Sequence, residues 1–178
     1  MNIANRLTFL RVLLIPIYIL LFLADFSGHY FYALAVYALA SFTDFLDGYL
    51  ARSRNLVSTF GKFADPLADK MLVTAALLCF MLIGRINLWI VFLILFREFA
   101  VTGLRAAVAA EGVVLAAGKS GKLKTVIQMI GLIYLHVEIG LRLSSTLVGD
   151  VFIWLMLLLT VASGVEYFYK NRKKISIK

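Results

Sequence analysis

Residues 44–69 read DFLDGYLARSRNLVSTFGKFADPLAD. Four aspartates, Asp44, Asp47, Asp65 and Asp69, fall within this stretch, in a chain that is 62% hydrophobic and only 16% charged. A charge at mid-bilayer costs about 2.5–3.5 kcal/mol even on lenient insertion scales, so four carboxylates here need a reason. Their spacing supplies one. Asp44 and Asp47 are three apart, and Asp65 and Asp69 are four apart, so each pair shares one face of a helix. The polar connection RSRNLVSTFGK, residues 52–62, lets two such helices pack antiparallel with their acidic faces together. The stretch therefore predicts a helical bundle whose second and third members meet at an acidic end.

The rest of the chain fits that frame. Its 178 residues suit a single domain, 1–178, and its mean hydropathy is +0.94. Apolar runs of about 20 residues, the length that crosses a bilayer, recur at roughly 7–24, 31–51, 63–83, 88–110, 123–143 and 151–169. The expected fold class is an all-α integral membrane protein of six transmembrane helices. An even number of spans puts both termini on one side. Of the 18 Lys and Arg residues, all but Arg85 and Arg142 fall on that side, which marks it as cytoplasmic. The net charge of +8 thus reads as topology, with no nucleic-acid partner. The N-terminal run has no A-x-A-like cleavage site and reads as a retained first helix. Cys79, alone in an apolar run, permits neither an intrachain disulfide nor a metal cluster. His29 and His136 have no partners at metal-ligand spacing and read as structural. Tyr30, Phe31, Trp89 and Tyr167 near helix ends read as an interfacial belt. The basic tail KNRKKISIK, residues 170–178, suits anionic lipid headgroups.

Four clustered carboxylates repel one another unless some are protonated or cations lie between them. Hard divalent ions such as Mg²⁺ prefer oxygen ligands of this kind, and two ions about 3.5–4 Å apart form a clamp suited to phosphoryl displacement. Gly48, directly after Asp47, and Gly61, four before Asp65, leave room for a large anionic ligand. Arg52 lies on the face of Asp44 and Gly48, where a guanidinium suits a bidentate phosphate contact. Pro66 lacks a backbone donor and is expected in an opening turn or at a kink, so that Asp65 doubles as an N-cap. A cation transporter could also use such carboxylates, but transport favours charges at mid-membrane on broken helices. A non-catalytic membrane interaction protein leaves the paired spacing unexplained.

The pattern D-x2-D-G-x2-A-R-x8-G-x3-D-x3-D, formed by Asp44, Asp47, Gly48, Ala51, Arg52, Gly61, Asp65 and Asp69, resembles the signature of the CDP-alcohol phosphatidyltransferases with every spacing intact. The resemblance implies a six-helix membrane enzyme, often a homodimer, with two Mg²⁺ or Mn²⁺ ions per active site. Asp44, Asp47 and Asp65 would be metal ligands, and Asp69 a ligand and the general base. Gly48, Ala51, Arg52 and Gly61 would shape the site for the diphosphate of CDP-diacylglycerol. The opening MNIANRLTFLRVLLIP looks like the N-x-L-T-x-x-R signature of one branch, the phosphatidylglycerophosphate synthases, at Asn5, Leu7, Thr8 and Arg11. That branch often has proline where Ala4 stands here. FRE at 96–98 and GKLKTVIQ at 121–128 look like the same branch. Asn5 and Thr8 would then serve CDP-diacylglycerol.

The implied reaction transfers the phosphatidyl group to sn-glycerol 3-phosphate and releases CMP, at the cytoplasmic face of a bacterial cell membrane among membrane lipids. Inositol or inositol phosphate is the alternative acceptor. A phosphorylated acceptor needs cations of its own. Arg105, Lys119, Lys122 and Lys124 gather where helices 4 and 5 meet the cytosol, and Arg97 lies deeper. Arg11, Arg97, Arg105, Lys122 and Lys124 are the candidates for the acceptor phosphate, with Arg105 and Lys122 foremost. Snorkelling and positive-inside charge equally explain Lys119 and Lys124, and an internal ion pair with Glu98 is the lesser alternative for Arg97.

Overall fold

The computed structural model describes the backbone of residues 3–54, 59–110 and 118–172, and the side chains of these except 3–8, 44–54, 59–66, 69, 110 and 119. Among the described residues there are six helices and no strand: α1 (Ile3–Phe22), α2 (His29–Arg54), α3 (Thr59–Leu82), α4 (Leu88–Ala110), α5 (Lys119–Gly140) and α6 (Leu147–Asn171). Each covers one of the six apolar runs. The differences lie at the ends. Most of the expected polar connection at 52–62 is helical, because α2 continues to Arg54 and α3 starts at Thr59. Arg and Lys are good helix formers, so polarity alone does not stop a helix. Pro66 falls well inside α3, which corrects the expectation that it opens the helix, and Asp65 is not an N-cap. Pro16 is likewise inside α1. A proline's fixed φ is helical, and its cost is the missing N–H and the clash with the preceding turn. Gly28 and Gly84 take φ of 81° and 74° in the short turns after α1 and α3, where a side chain would be strained.

Helices α1, α2, α3 and α5 close around Tyr18, Phe22, Tyr37, Phe80 and His136, all completely or almost completely buried. Phe80 stands edge-on to His136 at 4.8 Å and to Phe22 at 5.3 Å between ring centres. His136 Nδ1 lies 2.7 Å from the Leu132 carbonyl, to which it donates. Its Nε2 then accepts from Tyr18 Oη at 2.9 Å, so the imidazole is a satisfied core group. His29 Nδ1 reaches the carbonyls of Leu21 and Phe22 at 3.2 and 3.1 Å and ties off the end of α1. Cys79 is buried in the same core. Helix α4 packs on α6 through Val101, Leu104, Val108 and Tyr167.

The polarity is inverted relative to a soluble domain. Leu20, Leu82, Trp89, Phe96 and Val165 are 63–71% exposed, whereas Arg11, Lys124, Gln128 and Glu138 are buried. Ser120–Gly140 and Leu147–Asn171 are each long and apolar enough to cross a membrane. An apolar exterior around buried charge fits a bundle whose solvent is lipid.

The end remote from the aspartates is closed by an ionic clamp. Arg85, between α3 and α4, donates from Nε to Glu138 Oε1 at 2.5 Å and from Nη1 to Asp150 Oδ1 at 2.7 Å. Thr146 Oγ1 donates to Glu138 Oε2 at 2.5 Å and accepts from Gly149 N at 3.0 Å, capping α6. A Cβ on Gly149 would collide with the Glu138 carboxylate and Arg85 Nη2, so glycine is what lets the clamp close.

Candidate active site

The last turns of α2 and the first turns of α3 lie at the same end of the bundle, joined by residues 55–58. The helical register places Asp44, Asp47, Gly48, Ala51 and Arg52 along one side of α2, and Gly61, Asp65 and Asp69 along one face of α3. The side chains of these residues, and of Asn5, Thr8 and Lys119, lie outside the described ones. As a donor set, four carboxylates at i,i+3 and i,i+4 spacing on adjoining helices suit hard divalent cations. Among the described residues no other group of three His, Cys, Asp or Glu gathers to hold an ion.

Beside this end the described side chains form a cavity of about 140 Å³, whose wall is largely apolar, with Leu72, Leu77 and Ile94 among its residues, and whose polar groups include Arg11, Ser41, Lys70, Glu98, Lys124 and Gln128. Ser41 stands three residues before Asp44, and Lys70 directly follows Asp69, so the cavity wall runs into both halves of the aspartate motif. Glu98 is the centre of its charge network. Lys70 Nζ donates to Glu98 Oε2 at 2.8 Å, while Lys124 Nζ and Arg97 Nη1 donate to Oε1 at 2.5 and 2.9 Å. Three cations thus share one carboxylate. Lys124 is only 3% exposed and Arg11 is fully buried. Among the described side chains Glu98 is the anion that compensates Lys70, Arg97 and Lys124, and a wall with this many cations suits an anionic ligand.

Arg97 reaches this network through a gap between helices. A Cβ on Gly164 of α6 would come within 2.9 Å of Arg97 Cγ, and one on Gly121 of α5 within 3.8 Å of its Nη2. Gly164 thus leaves room for the stem of Arg97, whereas at Gly121 a Cβ would make only an ordinary contact.

Of the sequence-predicted acceptor residues, Arg11 and Lys124 line the cavity, and Arg97 is joined to it through Glu98. Arg105 and Lys122 do not line it. Arg105 Nε donates to Tyr167 Oη at 3.2 Å, with the guanidinium 5.5 Å from the ring centre. Lys122 is exposed. Lys70 and Ser41 were not singled out from the sequence, and Gln128 entered only as the last residue of the GKLKTVIQ stretch. Two signals were available: Lys70 adjoins the last aspartate of the motif, and Gln128 is one helical turn beyond Lys124.

An acidic pair of helix ends beside the cations gathered on Glu98 is an arrangement suited to phosphate-bearing ligands. A family model described as CDP-alcohol phosphatidyltransferase matches residues 1–162, and the chain belongs to that family. It is 42% identical to a Bacillus subtilis protein named CDP-diacylglycerol–glycerol-3-phosphate 3-phosphatidyltransferase, over 96% of this chain and 95% of that one. A Rickettsia typhi protein of the same name is 39% identical over 94% of this chain and 95% of its own length. A Mycobacterium tuberculosis protein named probable phosphatidylglycerophosphate synthase is 40% identical over 98% of this chain and 83% of its own.

Proposed function

We propose that this chain transfers the phosphatidyl group of CDP-diacylglycerol to sn-glycerol 3-phosphate, giving phosphatidylglycerol phosphate and CMP. The observation that carries the choice of acceptor is the cavity between Ser41 and Lys70, where among the described side chains Lys70, Arg97 and Lys124 outnumber Glu98. A neutral alcohol such as inositol would leave that surplus unanswered, whereas a phosphate monoester answers it with charge-assisted hydrogen bonds. The relatives' names point to the same acceptor.

Asp44, Asp47, Asp65 and Asp69 would hold two divalent ions, which supply neutralisation of the diphosphate and of the charge growing on CMP. Asp69 takes the proton from the 1-hydroxyl of the acceptor as its oxygen bonds to the phosphatidyl phosphorus and the bond to CMP breaks. Arg52, with Gly48, Ala51 and Gly61 leaving space, holds the diphosphate, and Asn5 and Thr8 contact the same substrate. Arg11 and Lys124 bind the acceptor phosphate, and Lys70 joins them from the residue after the base. Glu98 and Arg97 keep these ammonium groups in place. All six helices span the membrane, both termini and the site face the cytoplasm of a bacterial cell, and two copies associate as a homodimer.

The test is CMP release by the full-length protein in detergent with Mg²⁺, CDP-diacylglycerol and a panel of acceptors. Release with sn-glycerol 3-phosphate, and not with inositol, inositol phosphate or serine, is the expected result. Cation uptake into liposomes without CMP release from any acceptor contradicts it.

A further inference from the structure

The cavity has a second chemical character besides its charge. Its neutral polar lining includes Ser41, Thr125 and Gln128. Two of these have already committed their protons to the backbone: Ser41 Oγ donates to the Tyr37 carbonyl at 2.8 Å, and Thr125 Oγ1 to the Gly121 carbonyl at 3.1 Å. Gln128 differs. It is 2% exposed, and its amide nitrogen has no hydrogen-bond partner among the described residues. A buried amide donor left unpaired costs about 1–3 kcal/mol, a cost that a ligand oxygen removes. Arg97 Nε is in the same condition, but its guanidinium is already anchored on Glu98.

Position adds to burial. Gln128 lies four residues after Lys124 on α5, so their Cβ atoms are about 5–6 Å apart on one face. A compact phosphate ester that meets Lys124 through its phosphate therefore presents its neighbouring hydroxyl to the same face of α5, in the cavity that Gln128 also lines. A cavity near 140 Å³ is also small for anything beyond a compact metabolite; an engineered protein cavity of about 150 Å³ takes benzene.

We infer that Gln128 is a specificity-determining residue that hydrogen-bonds the 2-hydroxyl of the acceptor, the hydroxyl that does not react. The inference rests on the acceptor reading above and goes further, because charge alone does not distinguish glycerol 3-phosphate from other small phosphate monoesters. A site built to hydrogen-bond a hydroxyl rejects the analogue that lacks it.

The experiment compares sn-glycerol 3-phosphate with 3-hydroxypropyl phosphate, which keeps the phosphate and the reactive hydroxyl but lacks the middle one. Full-length wild type, Gln128→Leu and the volume-conserving Gln128→Met are assayed by CMP release. Wild type should prefer glycerol 3-phosphate by about tenfold or more in kcat/KM. Both variants should lose most of that preference through a higher KM for glycerol 3-phosphate, with the KM for CDP-diacylglycerol unchanged. Wild-type discrimination that survives in either variant overturns the inference while leaving the proposed reaction standing. A KM that rises equally for both substrates also overturns it, because a merely structural glutamine predicts that outcome. If wild type releases no CMP with either acceptor, the proposed reaction itself fails.

Discussion

Two ionic clusters sit at opposite ends of this bundle, and they differ in balance. At the remote end Arg85 faces two carboxylates, Glu138 and Asp150, and Thr146 fills out the coordination of Glu138. The cluster joins the loop after α3, the end of α5 and the start of α6, and the contact closes so tightly that position 149 has no room for a Cβ. At the aspartate end, among the described side chains, Lys70, Arg97 and Lys124 share the carboxylate of Glu98, beside a cavity and an unpaired amide. A packed cluster with its hydrogen bonds made is a staple. A cluster in which the described cations outnumber the described carboxylate, with space beside it, is suited to an anionic ligand. Both lie in an apolar bundle, so the distinction comes from pairing and volume and not from burial alone.

Four substitutions bear on this contrast, in decreasing order of expected effect. Asp69→Asn, beside the cationic cluster, should lower CMP release by about 10²–10⁴-fold, the usual contribution of a general base, while the unfolding midpoint and CDP-diacylglycerol binding stay near wild type. Normal turnover would remove Asp69 from the base role. Arg85→Ala should act in the other sense. It strands Glu138 in a buried position, at a cost of about 3–5 kcal/mol, so thermal unfolding in detergent shifts down while the KM for glycerol 3-phosphate is unchanged in the folded fraction. A changed acceptor KM with normal stability would erase the contrast between the two ends. Lys124→Ala should weaken acceptor binding by about 1.5–3 kcal/mol, read as a rise of about 10–100-fold in the KM for glycerol 3-phosphate. Gly149→Ala should destabilise by about 1–3 kcal/mol through overpacking against Glu138 and Arg85, with activity retained below its lowered midpoint. An unfolding midpoint equal to wild type would mean that the clamp tolerates the methyl group.

The helices were legible in the sequence because each apolar run is long and interrupted by short polar or glycine-containing stretches. Their ends were less so. Pro66 suggested a helix start, yet α3 begins at Thr59 and carries the proline inside, since its φ suits a helix and one missing backbone bond is affordable in a long, packed element. The aspartate motif was legible from spacing, because i,i+3 and i,i+4 are properties of the backbone alone. The cavity was not, because it is assembled from α1, α2, α3, α4 and α5, and no local pattern encodes which side chains meet across them. Arg105 illustrates the limit: it has the right charge and lies close in sequence to the candidate region, but it stacks on Tyr167 of α6 and leaves the cavity to Lys70, which adjoins the motif on α3.

The central claim is that the unbalanced cluster at Glu98 receives the phosphate of the acceptor. Steady-state kinetics of Lys124→Ala and Lys124→Met, with each substrate varied in turn, tests it most directly. The expected result is a KM for glycerol 3-phosphate raised by at least about tenfold, with the KM for CDP-diacylglycerol within about twofold of wild type. An unchanged KM for glycerol 3-phosphate in folded protein, or an equal rise for both substrates, would contradict it.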